Sequence, residues 1–228
     1  MRNSLWIVLI ALSLPVFVFL GFRVYAGMID AGGYYAAPSA SMEPTLRPGE
    51  QFIVLPHTDG SVPARGTVIV YKKPGEGGTE YVKRLIGLPG ETISFRQGRP
   101  IINGERAAWV EGETYTMTNR TEGPVACRGA GTASGTCRVK LQRETLPSGQ
   151  VHDVIDIGRS LLDDVAEVAV PEGFVFVAGD NRDNSLDSRY NSHGVVPVSA
   201  ITGIAWRYAV PRTSDDGIAF NRIGAAIK

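Results

Sequence analysis

Beyond residue 23, short apolar runs rich in valine, isoleucine and aromatic residues recur along the chain, separated by glycine, proline or other turn residues. Runs of this length and composition are typical of β-strands. No segment of three helical turns shows a clear apolar stripe. The pattern therefore predicts a mainly β chain, with strands at residues 51–55, 67–71, 81–87, 91–95, 100–104, 173–179 and 200–210.

The first apolar run differs from the others because it is long and contains no charge. Residues 5–22 lie between Arg2 and Arg23 and reach the lower limit of about 17 residues for crossing a bilayer. A removable signal peptide is the alternative, since residues 24–26 (Val-Tyr-Ala) have the small-x-small pattern of a cleavage site. The apolar part of a signal peptide normally runs only ~7 to 15 residues. We therefore expect one retained transmembrane helix.

The rest of the chain divides by composition into a β core and an insertion. Most of the predicted strands flank a central stretch that is richer in turns and polar residues. This arrangement predicts an antiparallel β-sheet core with an inserted β-rich subdomain, in which residues 145–170 are ambiguous and could hold a short helix. The expected division is a membrane anchor at 1–23, a linker at 24–37, the core at 38–95 and 171–212, the inserted subdomain at 96–170 and a C-terminal tail at 213–228.

Charge argues against a highly charged partner. The 23 basic and 23 acidic residues balance, so no single-sign field predicts binding to nucleic acid. Arginine dominates among the cations, and the lysines are Lys72, Lys73, Lys83, Lys140 and Lys228. A catalytic lysine would therefore have few candidates.

Two cysteines, Cys127 and Cys137, close a short loop rich in small residues. No histidine or further cysteine lies nearby in sequence to complete a zinc site, so we expect no metal there. A disulfide is the natural interpretation, and two unrelated free thiols are the alternative. A disulfide would place this loop in an oxidising compartment.

Three polar segments adjoin the predicted strands. The first is PSASMEPTLRPGE at residues 38–50, and the second is YVKRLIGLPGE at 81–91, where Lys83 stands among apolar neighbours. The third, GDNRDNSLDSR at 179–189, directly follows an apolar strand. Taken singly, they could be a solvated loop, a lysine at a strand edge and a loop whose side chains cap its own backbone.

Taken together, in this order and nearly this wording, the three segments resemble the sequence boxes of the bacterial type I signal peptidases, which are membrane-anchored serine proteases. The resemblance covers residues 38–50, 66–91 and 173–210. It implies that Ser41 is the nucleophile and Lys83 the general base. It also implies that the substrates are exported preproteins, cut after small residues at Ala-x-Ala sites, with no cofactor.

The resemblance implies further site residues. The Ser41 N–H and the Ser39 hydroxyl would form the oxyanion hole, and the Ser185 hydroxyl would orient the Lys83 amine. Ala40 stands where the family often has glycine, which is a small departure in the backbone of this turn. The subsites for small side chains would be lined by Pro38, Met42, Leu46, Tyr81 and Val82.

Lysine can act as a base only when it is neutral. A free lysine titrates near ~10.4, so catalysis near neutral pH requires a pKa lowered by roughly three units. Burial among apolar side chains can lower the pKa, whereas a contacting carboxylate would raise it. We therefore expect Asp187 to pair with Arg189 or Arg84 rather than to contact Lys83.

Other functions also fit parts of this sequence. His57, His152 and His193 could supply a histidine-based triad. A pilin-processing peptidase of conjugation shares the serine and lysine, as does a self-cleaving repressor, although no basic recognition helix is visible here. A membrane-tethered β domain without enzymatic activity is a further alternative.

The same resemblance predicts the surroundings of the protein. We expect a monomer that binds preproteins and the lipid bilayer and does not bind nucleic acid. If Cys127 and Cys137 are bonded, the long C-terminal part lies outside the cytoplasm. The expected location is the bacterial inner membrane, crossed once, with the catalytic domain on the periplasmic side.

Overall fold

The computed structural model describes residues 33–75, 77–118, 136–213 and 217–228. Within these residues the chain forms fourteen strands and three short 3-10 helices. The strands are β1 (Gly33–Ala36), β2 (Gln51–Pro56), β3 (Val68–Lys72), β4 (Glu80–Gly87), β5 (Thr92–Arg96), β6 (Arg99–Ile102), β7 (Glu105–Arg106), β8 (Ala108–Thr118), β9 (Thr136–Thr145), β10 (Val151–Ile155), β11 (Val165–Ala169), β12 (Phe174–Ala178), β13 (Val196–Pro197) and β14 (Ile201–Val210). The 3-10 helices are Ala40–Met42, Val198–Ala200 and Phe220–Arg222.

Seven strands form the main sheet, in the order β1-β2-β14-β3-β4-β12-β13, and every neighbouring pair is antiparallel. Strand β3 is buried on both faces, because Val68 and Val70 belong to one core cluster while Ile69 and Tyr71 belong to another. This burial explains why the sequence of β3 is a continuous apolar run rather than an alternating one.

Strand β4 lies between β3 and β12, but the two neighbours pair with different lengths of it. Strand β3 pairs with β4 from Glu80 to Arg84, whereas the register with β12 begins at Arg84 and ends at Gly87. The first half of β4 therefore has no strand partner on the β12 side within this register. That half contains Lys83, so the lysine lies where the sheet leaves one edge open.

Two smaller sheets complete the described fold, a four-stranded sheet β11-β5-β6-β7 and a three-stranded sheet β10-β9-β8. Ile86 of β4 and Phe176 of β12 pack with Ile93 and Phe95 of β5 in one buried cluster. Apolar burial of this kind is the main favourable contribution to folding. The cluster joins the four-stranded sheet to the main sheet.

The mainly antiparallel β architecture expected from the sequence is confirmed, and each predicted strand corresponds to an observed one within about two residues. The ambiguous segment 145–170, which is fully described, contains no helix. It forms β10, which pairs with β9, and β11, which pairs with β5. Tertiary strand pairing decides the conformation of this segment, whose local pattern does not.

Strand β5 differs from the predicted division between core and insertion. The sequence places residues 92–95 with the core, whereas β5 pairs with β6 and β11 in the four-stranded sheet. The chain turns away from the main sheet after β4 through Pro89 and Gly90, and Gly90 has a φ of 80°. Glycine adopts such a positive φ readily, so the strand that follows can join another sheet.

Several predicted features lie outside the described residues. These are the membrane anchor at residues 1–23, most of the linker at 24–37, and Cys127, so the anchor and the disulfide stay predictions. In the part of the chain that the structure describes, no helix is long and apolar enough to cross a membrane. Part of the predicted tail is packed, because Ile227 contacts the buried cluster that contains Phe52.

Candidate active site

Ser41 lies in the 3-10 helix that follows β1. Ser39 caps this helix, because its side chain accepts a hydrogen bond from the Ser41 N–H at 3.4 Å. The Asn181 N–H donates to the Ser41 carbonyl at 3.2 Å, and the Leu46 N–H donates to the Met42 carbonyl at 2.8 Å. Met42 and Leu46 are buried in the core. These contacts hold the backbone of Ser41 in place.

Lys83 lies on β4 and is only 4% exposed. Its Nζ is 2.8 Å from the Ser41 Oγ and donates to the Val82 carbonyl at 3.0 Å. Ser41 and Lys83 are 42 positions apart in the sequence. The fold therefore brings into hydrogen-bonding distance the two residues that the sequence predicted as nucleophile and base.

The surroundings of Lys83 favour its neutral form. Burial lowers the pKa of the Lys83 amine to about 8, and the nearby Arg189 acts in the same direction. The carboxylates of Asp187 and Asp180 oppose this shift. The neutral amine is therefore accessible at slightly alkaline pH, which an ordinary lysine does not allow.

The two carboxylates near Lys83 are each paired with an arginine. Asp187 accepts two hydrogen bonds from the Arg189 guanidinium, both at 2.9 Å, and Asp180 accepts two from the Arg84 guanidinium, at 2.7 and 2.6 Å. Bidentate pairs of this kind are strong and directional. Asp187 pairs with Arg189 rather than contacting Lys83, as expected from the sequence.

The predicted hydrogen bond between Ser185 and Lys83 is not formed. Ser185 is buried, but its hydroxyl lies outside hydrogen-bonding geometry with the Lys83 amine. The amine is directed instead at the Ser41 Oγ and the Val82 carbonyl. In this structure Ser185 therefore does not orient the amine directly.

Gly179 is a site residue that the sequence analysis missed. A Cβ added at this position would overlap both the Ser185 side chain and the Ser41 carbonyl oxygen. The backbone of Ser41 can approach this closely only because Gly179 has no side chain. The sequence feature that could have indicated this role is the position of Gly179 at the start of the third polar segment, immediately after β12.

The two predicted oxyanion-hole donors lie side by side. The Ser39 hydroxyl donates to the Ser41 Oγ at 3.2 Å and accepts from the Ser41 N–H. Both donors therefore belong to one short turn whose backbone is fixed by the contacts of Ser41 and Met42. To accept hydrogen bonds from both donors, a substrate carbonyl oxygen would have to displace the hydrogen bonds that Ser39 and Ser41 make with each other.

A cleft of about 240 Å³ lies over Ser41 and Lys83. All five residues predicted to line the subsites do line it, together with Ser39 and several residues that were not predicted. The predicted lining residues are Pro38, Met42, Leu46, Tyr81 and Val82, and the others are Ala37, Thr79, Glu80, Asn184 and Leu186. Leu186 is 47% exposed. It belongs to the third polar segment but was not among the predicted lining residues.

The three histidines lie at other places in the fold. His57 is hydrogen-bonded to the Ser61 carbonyl, and His193 is 2.8 Å from the Tyr71 hydroxyl. His152 lies 3.1 Å from Glu144. The contacts recorded for Ser41 Oγ in the described chain are with Ser39 and Lys83. This geometry does not favour a histidine-based triad.

One acidic cluster could in principle hold a metal ion. Asp156, Asp163 and Asp183 offer carboxylate oxygens within 4.8 Å of one another. Burial, together with the charges of Asp183 and Asp163, raises the pKa of Asp156 to about 7. None of the three lines the cleft. The expectation of an active site without metal or cofactor stays a prediction.

The sequence is similar to a known family of peptidases. The family model for signal peptidase, peptidase S26, matches residues 5–209. Because this match covers most of the sequence, the chain belongs to that family.

Individual relatives give a consistent result. The signal peptidase I of Pseudomonas aeruginosa is 34% identical over 72% of this chain and 56% of its own length. A signal peptidase I of Bacillus licheniformis is 31% identical, covering 74% of this chain and 72% of its own. A signal peptidase I crystal structure from Enterococcus faecalis is 28% identical over 63% of this chain and 97% of its own, but its TM-score of 0.35 carries no structural argument. The chain thus spans little more than half of the Pseudomonas relative.

Proposed function

We propose that this chain is a serine endopeptidase that removes N-terminal signal peptides from exported preproteins. Ser41 is the nucleophile and Lys83 the general base. The observation that carries the proposal is the 2.8 Å approach of the Lys83 Nζ to the Ser41 Oγ within a buried site. A buried lysine whose amine contacts a serine oxygen rather than a carboxylate has the arrangement that a serine–lysine pair requires.

The first chemical step forms an acyl-enzyme. The neutral Lys83 amine takes the proton of the Ser41 hydroxyl while Oγ attacks the carbonyl carbon of the scissile peptide bond. The carbonyl oxygen becomes an oxyanion, which accepts hydrogen bonds from the Ser41 N–H and the Ser39 hydroxyl. The bond to the leaving nitrogen then breaks, and the Lys83 ammonium returns the proton to that amine.

The second step releases the signal peptide. The Lys83 amine, neutral again, takes a proton from a water molecule, whose oxygen attacks the acyl carbon. The ester bond to the Ser41 Oγ breaks, and the Lys83 ammonium protonates the departing serine oxygen. Ser41 and Lys83 thereby return to their starting protonation states.

The open edge of β4 supports binding of the substrate as an added strand. The first half of β4 has no β12 partner in the register, and Tyr81, Val82 and Lys83 line the cleft at that point. An extended peptide can add to such an edge through backbone hydrogen bonds, while pockets accept its side chains. The shallow, largely apolar lining favours small side chains before the cut.

Substrate size tests this assignment. Wild-type protein is expected to cleave a preprotein with an Ala-x-Ala site, and replacing the alanine before the cut with phenylalanine is expected to lower kcat/KM by about 10²-fold, since overfilling a close-packed site costs 1–3 kcal/mol or more. Cleavage is measured by gel shift and by sequencing the new N-terminus. Replacing a residue well downstream of the cut is the matched control. Equal cleavage of the alanine and phenylalanine substrates would contradict the pocket.

The pH dependence tests the lysine base. Because Lys83 must be neutral and its pKa is about 8, kcat/KM is expected to fall about tenfold for each pH unit below about 8 and to level off above it. The profile is measured with a peptide that carries no group titrating in this range. With a histidine base, kcat/KM would instead begin to fall only below the ordinary histidine pKa of about 6.5. A decline that begins at that lower pH would contradict Lys83 as the base.

We further propose that the protein is anchored in the bacterial inner membrane by residues 5–22, with the catalytic domain on the periplasmic side. The uncharged apolar run supports the anchor, and the pair Cys127 and Cys137 supports an oxidising compartment. The proposed partners are preproteins and the lipid bilayer, and the proposed state is a monomer. Membrane flotation and protease protection of the C-terminal domain test this topology.

A further inference from the structure

The end of strand β10, in the three-stranded sheet, is hydrogen-bonded to the segment that contacts Ser41. The N–H of Ile155, at the end of β10, donates to the Asp180 carbonyl at 2.8 Å, and the Arg182 N–H donates to the Ile155 carbonyl at 2.8 Å. Between them, the Asn181 N–H donates to the Ser41 carbonyl at 3.2 Å. The segment 180–182 therefore links the inserted subdomain to the nucleophile backbone.

Glu144 of β9 fixes this segment through Arg182. The fully buried Glu144 carboxylate accepts hydrogen bonds from the two Arg182 terminal nitrogens at 3.0 and 2.6 Å, and from the Trp109 Nε1 at 2.7 Å. Arg182 in turn donates to the carbonyls of Gly179 at 3.2 Å and Gly98 at 2.9 Å. Glu144 thus binds Arg182, and Arg182 binds the backbone of Gly179, which lies against Ser41.

His152 lies close to both Glu144 and Asp180. The His152 Nε2 lies 3.1 Å from Glu144 Oε1 and 3.9 Å from Asp180 Oδ1. Asp180 accepts hydrogen bonds from Arg84 and, at 2.5 Å, from the Thr45 hydroxyl. Glu144 and His152 therefore both lie next to the segment 180–182, whose Asp180 binds the Thr45 hydroxyl.

Glu144 is ionised in this position. Burial opposes the charged carboxylate, but the charge and the hydrogen bonds of Arg182 outweigh it and hold the pKa of Glu144 well below its usual value. Removing one partner of such a buried pair leaves the other uncompensated. The charge of Glu144 is therefore part of what orders Arg182.

We infer that Glu144 of the inserted subdomain is a positioning residue for the nucleophile, acting through Arg182 on the segment that supports the Ser41 backbone. This inference rests on the proposed function, because it assigns the subdomain a part in cleavage by Ser41. Misplacing a reacting group by about 1 Å can cost about 10²-fold in rate. In the described part of the chain, the hydrogen bonds of the Glu144 side chain are with Arg182 and Trp109, not with Ser41 or Lys83.

The test compares Glu144→Gln, Glu144→Asp and Arg143→Gln in the full chain. Glu144→Gln keeps the shape and removes the charge, and Glu144→Asp keeps the charge on a shorter side chain. Arg143 is the matched control, because it neighbours Glu144 on β9, has a 60% exposed side chain and pairs with Asp153 at the surface. We expect Glu144→Gln to lower kcat by about 10- to 100-fold with KM changed less than about twofold.

Two further readouts separate positioning from general destabilisation. Amide exchange is expected to quicken in residues 38–46 and 179–183 of Glu144→Gln while β14 keeps its protection. Glu144→Asp, which retains the charge, is expected to recover part of the lost kcat, and Arg143→Gln to behave as wild type. Both Glu144 variants are assayed well below their unfolding midpoints.

The outcomes that overturn the inference are distinct from failure of the proposed function. A folded Glu144→Gln protein with wild-type kcat and wild-type exchange at 38–46 overturns it, as does an equal loss in Arg143→Gln. If Glu144→Gln does not fold, the Glu144→Asp protein decides in the same way through its kcat and exchange. Absence of cleavage by the wild type would contradict the proposed function alone, because the exchange rates still test the positioning.

Discussion

Replacing Lys83 with alanine is expected to lower kcat for preprotein cleavage by at least about 10³-fold, with the protein still folded. Lys83 is the basic side chain recorded in contact with the Ser41 Oγ in the described part of the chain. Without it the serine hydroxyl keeps its proton and remains a weak nucleophile. The measurement is a single-turnover assay with excess enzyme, in which Ser41→Ala defines the rate without a nucleophile.

Two companion variants separate loss of the base from loss of a charge. Lys83→Arg is expected to be as inactive as Lys83→Ala, because a guanidinium does not lose its proton in the working pH range. Lys140→Ala is the matched control, since that lysine is half exposed and pairs with Glu111 at the surface. If Lys83→Ala kept more than about a tenth of wild-type kcat, general-base catalysis by this residue would be ruled out.

Gly179→Ala is expected to lower kcat by about 10²-fold or more through a steric effect alone. The added Cβ would overlap the Ser41 carbonyl oxygen and the Ser185 side chain. The carbonyl belongs to the backbone and cannot rotate away, so the nucleophile turn must move. Because Gly179 does not have a positive φ, alanine imposes no backbone strain of its own. The change in rate therefore reports the displacement.

Gly158→Ala is the matched control for this steric effect. Gly158 also lacks a positive φ, and a Cβ there would meet no atom within 4 Å. We expect Gly158→Ala to keep wild-type kcat and thermal stability. A crystal structure of Gly179→Ala is expected to show the Ser41 carbonyl moved relative to Asn181. Unchanged turnover in Gly179→Ala would show that the close approach has no bearing on catalysis.

The strands were largely predictable because their signal is local. β3 is a continuous run of apolar residues, and burial on both faces of a central strand requires such a run. The segment 145–170 was not predictable, because its alternation is weak and its two strands join different sheets, β10 next to β9 and β11 next to β5. The sheet that β5 joins was not predictable either, since the sequence of a strand does not show which strands it pairs with.

The site was predictable to the extent that motif positions specify residue types. Ser41, Lys83 and all five predicted lining residues meet at one cleft. Ser185 was expected at the Lys83 amine, but the amine is directed elsewhere, and a motif does not encode the direction of a side chain. Gly179 and Glu144 were missed because their significance depends on what lies against them.

The sequence by itself determined which residues can do the chemistry and where the strands lie, because side-chain type and local alternation are properties of neighbouring residues. Only the tertiary structure decided the distance between Ser41 and Lys83, the burial that lowers the lysine pKa, and the link from Glu144 to the nucleophile. The first pair is separated by 42 positions and the Glu144–Arg182 pair by 38. Such contacts depend on how the sheets pack, which no local segment specifies.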